Sequence, residues 1–382
     1  MKTFLKKNYI YILICISLIS SLRSFFLPPV DDQETYIEIA NNIINKGEYS
    51  LNGQPSTITP IIPFLVSLFY IKAAPLIGFA LVKLTNLVLM IVGLKFSYRF
   101  FKKINVPSNI SLIIILLTAT NNNFVVWSAL IYPEAILFCF TWVFLYYIID
   151  EIKSPIHLFY FFVPFLILLI TRYSYAVLGA IVAYVFIKKL YDFYLQKEFM
   201  TIGKVILISV LLMIPMFIWF KYVLNIESEI SVHQSYFNRF KDHDILYNIK
   251  AGIGLIQHEN VNRINGIPAF ISLFLPITGV RNWTVSIILL LIFIIGYITK
   301  WKSREYRVLF FYIFLVMAGF VLAGTGFSRY WLPLLPGYLL GFYLVFKKFI
   351  SNDNYFVRLS LVLSIIYIIN ELRIDFLILS KL

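Results

Sequence analysis

Apolar runs long enough to cross a lipid bilayer follow one another along almost the whole chain. A membrane-spanning helix needs about 20 mostly apolar residues. Segments of nearly that length lie at about 9–27, 76–98, 107–126, 131–149, 155–171, 174–190, 203–224, 283–299, 307–324, 331–346 and 355–377. Hydrophobic residues make up 60% of the sequence and charged residues only 14%, unlike a soluble globular domain. We therefore predict an all-α integral membrane protein in which residues 1–382 form a single polytopic domain of about eleven transmembrane helices.

Most basic residues fall between the apolar runs. The 33 Lys and Arg and the 19 Asp and Glu give a net charge of +14, which in a soluble protein would indicate a nucleic-acid partner. Here the basic residues form short clusters at 99–103, 188–197, 300–307 and 347–348, as orientation signals do. A cytoplasmic N-terminus places all these clusters on the cytoplasmic side. We predict a multi-pass cell-membrane protein with that orientation, surrounded by the lipid bilayer and binding no nucleic acid.

This orientation leaves two long segments outside the cytoplasm, at about 28–75 and 225–282. Each contains an apolar stretch that is too short to span, 58–71 and 267–280, and such stretches usually lie in the membrane interface or re-enter it. We expect an interfacial helix in each segment. The acidic residues collect on the same side, namely Asp31, Asp32, Glu34, Glu38, Glu48 and Glu134. No acid lies near the middle of a predicted span, which counts against an ion-coupled transporter. We expect the functional site at the lipid–water boundary on the extracytoplasmic face.

The first outer segment predicts a short amphipathic helix. Apolar residues recur at helical spacing from Tyr36 to Ile44, and Gly47 is a suitable stop, so the helix should run from about Asp32 to Asn45. Asp31 and Glu34 have the spacing of a capping box, which would give both a structural role. Asp32 falls in the first turn, where the helix dipole favours an ionised carboxylate. Such a carboxylate can accept a proton from a hydroxyl or bind a divalent cation, so a divalent metal is possible although no cofactor is indicated with certainty.

Several short motifs, in their order along the chain, resemble a known family. They are Asp32-x-x-x-Tyr36-x-x-x-Ala40, Gly47-x-Tyr49, Thr59-Pro60-Ile-Ile-Pro63, Tyr132-Pro133-Glu134, Thr171-Arg172-Tyr173 and Arg329-Tyr330-Trp-Leu-Pro333-Leu-Leu-Pro336. Each motif is degenerate alone, but their joint order is similar to that of the C-type glycosyltransferase fold. The resemblance is to the branch of bacterial protein O-mannosyltransferases and aminoarabinose transferases.

The resemblance implies an enzyme that transfers a sugar from a polyprenyl-phosphate carrier to an acceptor on the outer face, usually with inversion at the anomeric carbon. Asp32 matches the first-loop catalytic base, with Asp31 as its competitor for that role and as a substrate-binding candidate. Arg329 matches the late arginine that contacts the donor phosphate. The acceptor, whether protein, lipid or glycan, is not specified. Family members commonly carry a second acid after the first-loop Asp, where this chain has Gln33, and a basic residue before the Pro-rich stretch, where it has Thr57 or Thr59.

Other charged residues and rings have two open interpretations. Glu134 is either a first-turn acid stabilised by a helix dipole or a second catalytic carboxylate facing the cavity of Asp32. Arg172 either snorkels to the headgroups or contacts the donor phosphate, whereas Arg23 and Lys83 are expected to snorkel. Tyr36, Tyr173 and Tyr330, each beside a candidate charge, are expected to line the substrate site. The later loop contains His233, His243, His258 and Glu259, whose spacings match no zinc signature and predict solvated loop residues.

Two other classes of function compete with the glycosyltransferase. A transporter or flippase of lipid-linked sugars would also need an outward cavity with phosphate-binding arginines. It would further need charge along the transport path and paired halves, and neither is visible in the sequence. A non-catalytic membrane assembly factor that retained the fold is permitted by the missing second acid at Gln33.

Overall fold

The computed structural model describes residues 2–150, 154–227, 229–230, 243–257, 266–276, 279–326 and 328–380, with side chains from residue 8 onward. The α-helices of these residues are α1 Lys2–Ser21, α2 Asp32–Lys46, α3 Ile61–Leu68, α4 Pro75–Lys103, α5 Ser108–Thr120, α6 Asn122–Trp127, α7 Glu134–Ile148, α8 Ile156–Thr171, α9 Gly179–Leu195, α10 Phe199–Ile226, α11 Ile245–Gly252, α12 Trp283–Ile298, α13 Arg304–Leu322, α14 Ser328–Trp331, α15 Leu335–Phe349 and α16 Asp353–Leu379. Short 3₁₀ helices lie at Leu22–Phe26, Tyr173–Leu178, Ile267–Leu273 and Leu332–Leu334. Strands β1 Ser50–Leu51 and β2 Gln54–Pro55 pair antiparallel, with Ser50 opposite Pro55.

Each apolar segment predicted to span the membrane overlaps helical structure. By length and composition, four of the described helices could cross a bilayer: Asn8–Phe26, Pro75–Lys103, Phe199–Ile226 and Arg304–Leu322. Helices α5, α7, α8 and α12 are apolar but shorter. The chain is therefore an all-α membrane protein, while the count of eleven transmembrane helices stays a prediction.

Helix α7 packs closely against α4 and α8. Gly93 allows α4 to approach it, because a Cβ at this position would overlap the Phe138 ring. Trp142 of α7 is fully buried, and its Nε1 donates to the carbonyl oxygen of Pro333 at 3.1 Å. These contacts fix α7, which begins at Glu134, relative to α4, α8 and the chain that follows α14.

The first outer segment contains the predicted helix, since α2 runs from Asp32 to Lys46 and ends at Gly47 in a left-handed conformation with φ +69°. The predicted capping box is wrong. Asp31 has φ +54° and makes no side-chain cap hydrogen bond, because a side-chain cap requires the extended backbone that Asp31 lacks. The apolar stretch that follows forms α3, where Leu68 is 76% exposed, as a helix lying against lipid would be.

The second short apolar stretch differs from the expected interfacial helix. Residues Ile267–Leu273 form a 3₁₀ helix in which Phe270 and Leu273 are fully buried. Asn121, between α5 and α6, donates to the carbonyl oxygen of Leu273 at 2.6 Å, and Asn123 donates to that of Ser272 at 3.0 Å. Phe270 also packs against the ring of Trp331. The segment is therefore enclosed by helices, and it packs against α14 through the contact of Phe270 with Trp331.

Two basic residues expected to snorkel have partners inside the protein. Arg23 pairs with Glu371 at 2.6 Å and with Asp375 at 2.8 Å, which connects the end of α1 to α16. Lys83 is 4% exposed, and its Nζ donates to the carbonyl oxygens of Ser24 at 2.7 Å and Leu27 at 3.1 Å. The snorkelling prediction is wrong for both because buried carboxylate or carbonyl oxygens replace water as their acceptors.

Candidate functional site

Glu134 lies at the centre of a cluster of charged residues. It is the first residue of α7, directly after Pro133, and it is fully buried. Its Oε1 accepts a hydrogen bond from Nη2 of Arg172 at 3.1 Å and lies 3.5 Å from Nε of Arg329. A buried carboxylate is stable only when it is paired, and here two guanidinium groups pair with one carboxylate oxygen. The dipole of α7 also favours its charge, as expected for an acid in the first turn of a helix.

Arg172 comes from the end of α8. The chain leaves the helix there in an extended conformation, with φ −155° and ψ 116°, before the 3₁₀ helix Tyr173–Leu178. The residue is only 6% exposed, and its guanidinium carbon lies 3.5 Å from the centre of the Tyr330 ring. Arg172 therefore points toward Glu134 and Tyr330, so the interpretation as a snorkelling residue is wrong.

Arg329 lies on the short helix α14 and is surrounded by three aromatic rings. Its guanidinium carbon is 4.6 Å from the centre of the Tyr132 ring, 5.1 Å from that of Trp127 and 5.5 Å from that of Tyr330. Its side chain is 14% exposed. Cation–π contacts of this kind strengthen when water is excluded, so the rings hold the guanidinium in one position.

Backbone contacts of Gly326 hold the chain just before α14, the helix that carries Arg329. Gly326 has φ +153°, and a Cβ there would lie 2.8 Å from Cα of Gly266. Gly266 donates its N–H to the carbonyl oxygen of Gly326 at 3.1 Å, and Nε1 of the fully buried Trp331 donates to the same oxygen at 3.2 Å. Glycine at position 326 thus allows the backbone just before α14 to pack against Gly266.

Asp32 completes the cluster from the first outer segment. Its Oδ2 accepts a hydrogen bond from Nη2 of Arg329 at 2.6 Å, although the two residues are 297 positions apart. The Asp32 side chain is 52% exposed, in contrast to the buried carboxylate of Glu134. We refer to Asp32, Glu134, Arg172 and Arg329 together as the charged site. Within it, Asp32 is the carboxylate that a molecule arriving from solvent can reach.

The remaining site candidates take different positions. Tyr36 packs edge-on against Tyr132, with 6.2 Å between the ring centres, and so contacts one of the rings around Arg329. Burial and the nearby Asp32 carboxylate raise the pKa of the Tyr36 phenol well above its ordinary value, so it stays neutral at physiological pH. Tyr330 lies between the two arginines. Asp31 is exposed and its side chain makes no hydrogen bond or ion pair with another described residue, so the structure brings Asp32, and not Asp31, to the arginines.

Gln33 and Thr57 face the protein interior. Gln33 is 1% exposed, and its Oε1 accepts a hydrogen bond from the N–H of Ile131 at 3.1 Å. Thr57 is fully buried, and its carbonyl oxygen accepts from the Tyr173 hydroxyl at 3.3 Å. Tyr173 in turn accepts a hydrogen bond from Nε1 of Trp219 at 2.6 Å, which connects the first outer segment to α10. Tyr173 therefore braces this segment.

Sequence reasoning identified Tyr330 but missed the other two rings around Arg329, those of Trp127 and Tyr132. Tyr132 belongs to the motif Tyr132-Pro133-Glu134 but was not assigned to the site, and its position two residues before Glu134 was the available signal. Trp127 ends α6 and carries no sequence signal, because only the folded turn between α6 and α7 brings it to Arg329.

Metal-binding clusters are absent from the described part of the chain, where no group of three or more His, Cys, Asp or Glu side chains is placed to hold an ion. His243 stacks on the Tyr247 ring at 3.8 Å. His233, His258 and Glu259 lie outside the described residues. The positive charge of the site comes from Arg172 and Arg329.

The charged site has guanidinium donors that can bind an anion next to an exposed carboxylate. Arginine presents planar pairs of N–H donors that match phosphate oxygens, and it keeps its charge at all physiological pH values. Oε2 of Glu134 has no hydrogen-bond partner among the described residues, so this carboxylate has capacity for one more donor.

Comparison with family models, with curated proteins and with solved structures found no match to this chain.

Proposed function

We propose that this protein is a membrane glycosyltransferase that moves a sugar from a polyprenyl-phosphate carrier to an acceptor hydroxyl. The observation that carries the proposal is the charged site, in which four separate segments bring together one exposed carboxylate, one buried carboxylate and two fixed guanidinium groups. Departure of a phosphate from the anomeric carbon needs stabilisation of negative charge. Attack by a hydroxyl needs a base.

Arg329 and Arg172 bind the phosphate of the donor. Both guanidiniums are held by Glu134 and by aromatic rings, so they are oriented before the substrate arrives. Preorganised donors of this kind stabilise a developing charge without a reorganisation cost in the reaction. Glu134 therefore serves to hold the arginines in place, and its burial keeps it away from the acceptor.

Asp32 acts as the base. In the structure its carboxylate occupies a donor position of Arg329, which the donor phosphate takes when it binds. Displaced from Arg329 and exposed to solvent, the carboxylate then accepts the proton of the acceptor hydroxyl. The acceptor oxygen forms a bond to the anomeric carbon as the bond from that carbon to the phosphate oxygen breaks. The carrier phosphate leaves, and attack opposite the leaving group inverts the configuration.

An apolar groove near the site accommodates the carrier chain. The groove has a volume of about 600 Å³ and is lined by residues of α2, α3, α4, α7 and α8, including Ile43, Phe64, Leu68, Leu89, Phe140 and Ile167. Ile167 lies on α8, five residues before Arg172. This separation in sequence corresponds to about 7.5 Å along a helix axis. A lipid whose phosphate contacts Arg172 can thus extend its chain along the groove.

The proposed topology has eleven spans, a cytoplasmic N-terminus and the charged site on the extracytoplasmic face of the cell membrane. Its support is the distribution of basic clusters in the sequence together with the position of the site. Asp32 follows the first predicted span, Glu134 begins the fourth, Arg172 follows the fifth and Arg329 precedes the tenth, which all fall on one side in this topology.

The test is turnover by the purified protein. Polyprenyl-phosphate mannose, glucose and aminoarabinose are supplied with acceptor lipids, glycans and peptides, and release of the free polyprenyl phosphate is measured. We expect release that requires an acceptor and that Asp32→Asn abolishes. Movement of the intact lipid-linked sugar across a vesicle membrane without release would instead indicate a flippase. If no donor gives either release of polyprenyl phosphate or movement of the lipid-linked sugar, the proposal is contradicted.

A further inference from the structure

Gln33, the residue after Asp32, is buried and connects the start of α2 to the loop before α7. Gln33 is 1% exposed at the first turn of α2, while Asp32 beside it faces solvent. Its Oε1 accepts from the N–H of Ile131 at 3.1 Å, and its Nε2 lies 3.4 Å from the carbonyl oxygen of Val30. The side-chain amide thus bridges the start of α2 to the loop before α7.

That loop carries a ring that contacts the charged site and leads directly into one of its residues. Tyr132, whose ring contacts Arg329, follows Ile131 directly, and Glu134, the first residue of α7, comes two residues later. A second buried amide holds the loop from the other side, since Nδ2 of Asn86 on α4 donates to the carbonyl oxygen of Leu130 at 2.5 Å. The loop backbone is therefore fixed between α4 and α2, and Gln33 is the contact from α2.

We propose that Gln33 is a positioning residue that sets the distance between the Asp32 carboxylate and the arginines through its hydrogen bond to Ile131. This inference rests on the proposed function and concerns the same site. The neutral amide serves this purpose because it supplies an acceptor for Ile131 and a donor toward Val30, whereas an ionised carboxylate supplies acceptors only.

Loss of this contact affects one kinetic parameter more than the other. Arg172 and Arg329 are held by Glu134 and by the rings of Trp127, Tyr132 and Tyr330, none of which lies on α2. Donor binding therefore persists when the start of α2 shifts. The reaction step slows, because a displacement of the base by about 1 Å costs on the order of a hundredfold in rate.

The test compares Gln33→Met with Asn42→Ala. Met has the length of Gln but lacks the acceptor for Ile131. Asn42 lies near the other end of α2, where its Nδ2 donates to the carbonyl oxygen of Ser50 at 2.9 Å, so its loss also removes an anchor of this helix but lies far from Asp32. We expect Gln33→Met to lower kcat at least tenfold with the donor KM unchanged within twofold, and Asn42→Ala to change neither by more than twofold.

Equal kcat values for the two variants, or a raised donor KM with unchanged kcat in Gln33→Met, would overturn the inference. If Gln33→Met does not fold, Gln33→Asn provides the test, because its amide is one methylene too short to reach Ile131 unless α2 moves. It should show the same loss of kcat, and wild-type kcat would contradict the assignment. Failure of the wild-type protein to release polyprenyl phosphate would count against the proposed function instead, so the two failures are distinguishable.

Discussion

Asp32 and Arg329, which are 297 residues apart in sequence, form a hydrogen-bonded ion pair at 2.6 Å on the exposed side of the charged site. Arg329 is held by three rings and by Glu134, whereas the Asp32 side chain is 52% exposed. Asp32 is therefore the more accessible member of the pair. In the proposed reaction, the donor phosphate takes the place of the Asp32 carboxylate at Arg329 and so frees this carboxylate to act as the base.

Asp32→Asn should abolish turnover with little effect on folding. Asn keeps the shape of the side chain and can still contact Arg329 through its amide oxygen, but it cannot accept a proton. Loss of a general base lowers rates by about 10²–10⁴-fold. The measurement is acceptor-dependent release of polyprenyl phosphate. Asp31→Asn is the matched control, and because Asp31 makes no side-chain cap hydrogen bond, it should retain wild-type activity and stability. Equal activity of Asp32→Asn and wild type would remove Asp32 as the base.

Arg329→Lys should lower kcat/KM by at least tenfold. Lysine keeps the positive charge, but it lacks the planar pair of donors and the stacking on Tyr132, Trp127 and Tyr330. Losing one preorganised charge stabiliser costs about tenfold to a thousandfold in comparable sites. Arg373→Lys, at an exposed position on α16, provides a control that should leave kcat/KM unchanged. Full activity of Arg329→Lys would show that a point charge suffices and would contradict bidentate phosphate binding.

Glu134→Gln should act mainly on stability. The substitution leaves the buried guanidiniums of Arg172 and Arg329 without their shared negative charge, and removing one partner of a buried ion pair costs about 3–5 kcal/mol. The free energy of unfolding of the detergent-solubilised protein measures this cost. Glu34→Gln, at an exposed position of α2, should change stability by less than about 0.5 kcal/mol. A Glu134→Gln variant as stable as wild type would show that the arginines do not depend on this carboxylate.

Sequence alone predicted the helices well, because an apolar run of about 20 residues has few alternatives to a helix in lipid. The α2 helix was likewise predicted to within one residue at its end, from apolar spacing and Gly47. These features depend on neighbouring residues. The capping box also depends on neighbours, yet its prediction was wrong, because residue spacing does not determine the φ of +54° that Asp31 adopts.

Contacts between distant segments could not be derived from local patterns. Arg23 pairs with Glu371, 348 positions away, and nothing in the sequence around Arg23 indicates that partner. An arginine at the end of an apolar run was expected to snorkel, and the same reasoning was also wrong for Lys83. The grouping of Asp32 with Arg329 came from the order of motifs in a resemblance, and no periodicity in the chain predicts it.

Ile43→Trp should weaken the use of donors with long chains. Ile43 lies on α2 and lines the apolar groove of about 600 Å³, so a larger ring there fills space proposed for the carrier chain. Losing the burial of even two methylene groups costs about 1.6 kcal/mol, which is more than tenfold in affinity. We therefore expect at least a tenfold rise in KM for a long-chain polyprenyl-phosphate sugar and no change for a short-chain analogue. Leu76→Trp is the control, since Leu76 is 78% exposed on α4 and does not line the groove. If both variants show the same KM for the long-chain donor, the chain does not bind in this groove.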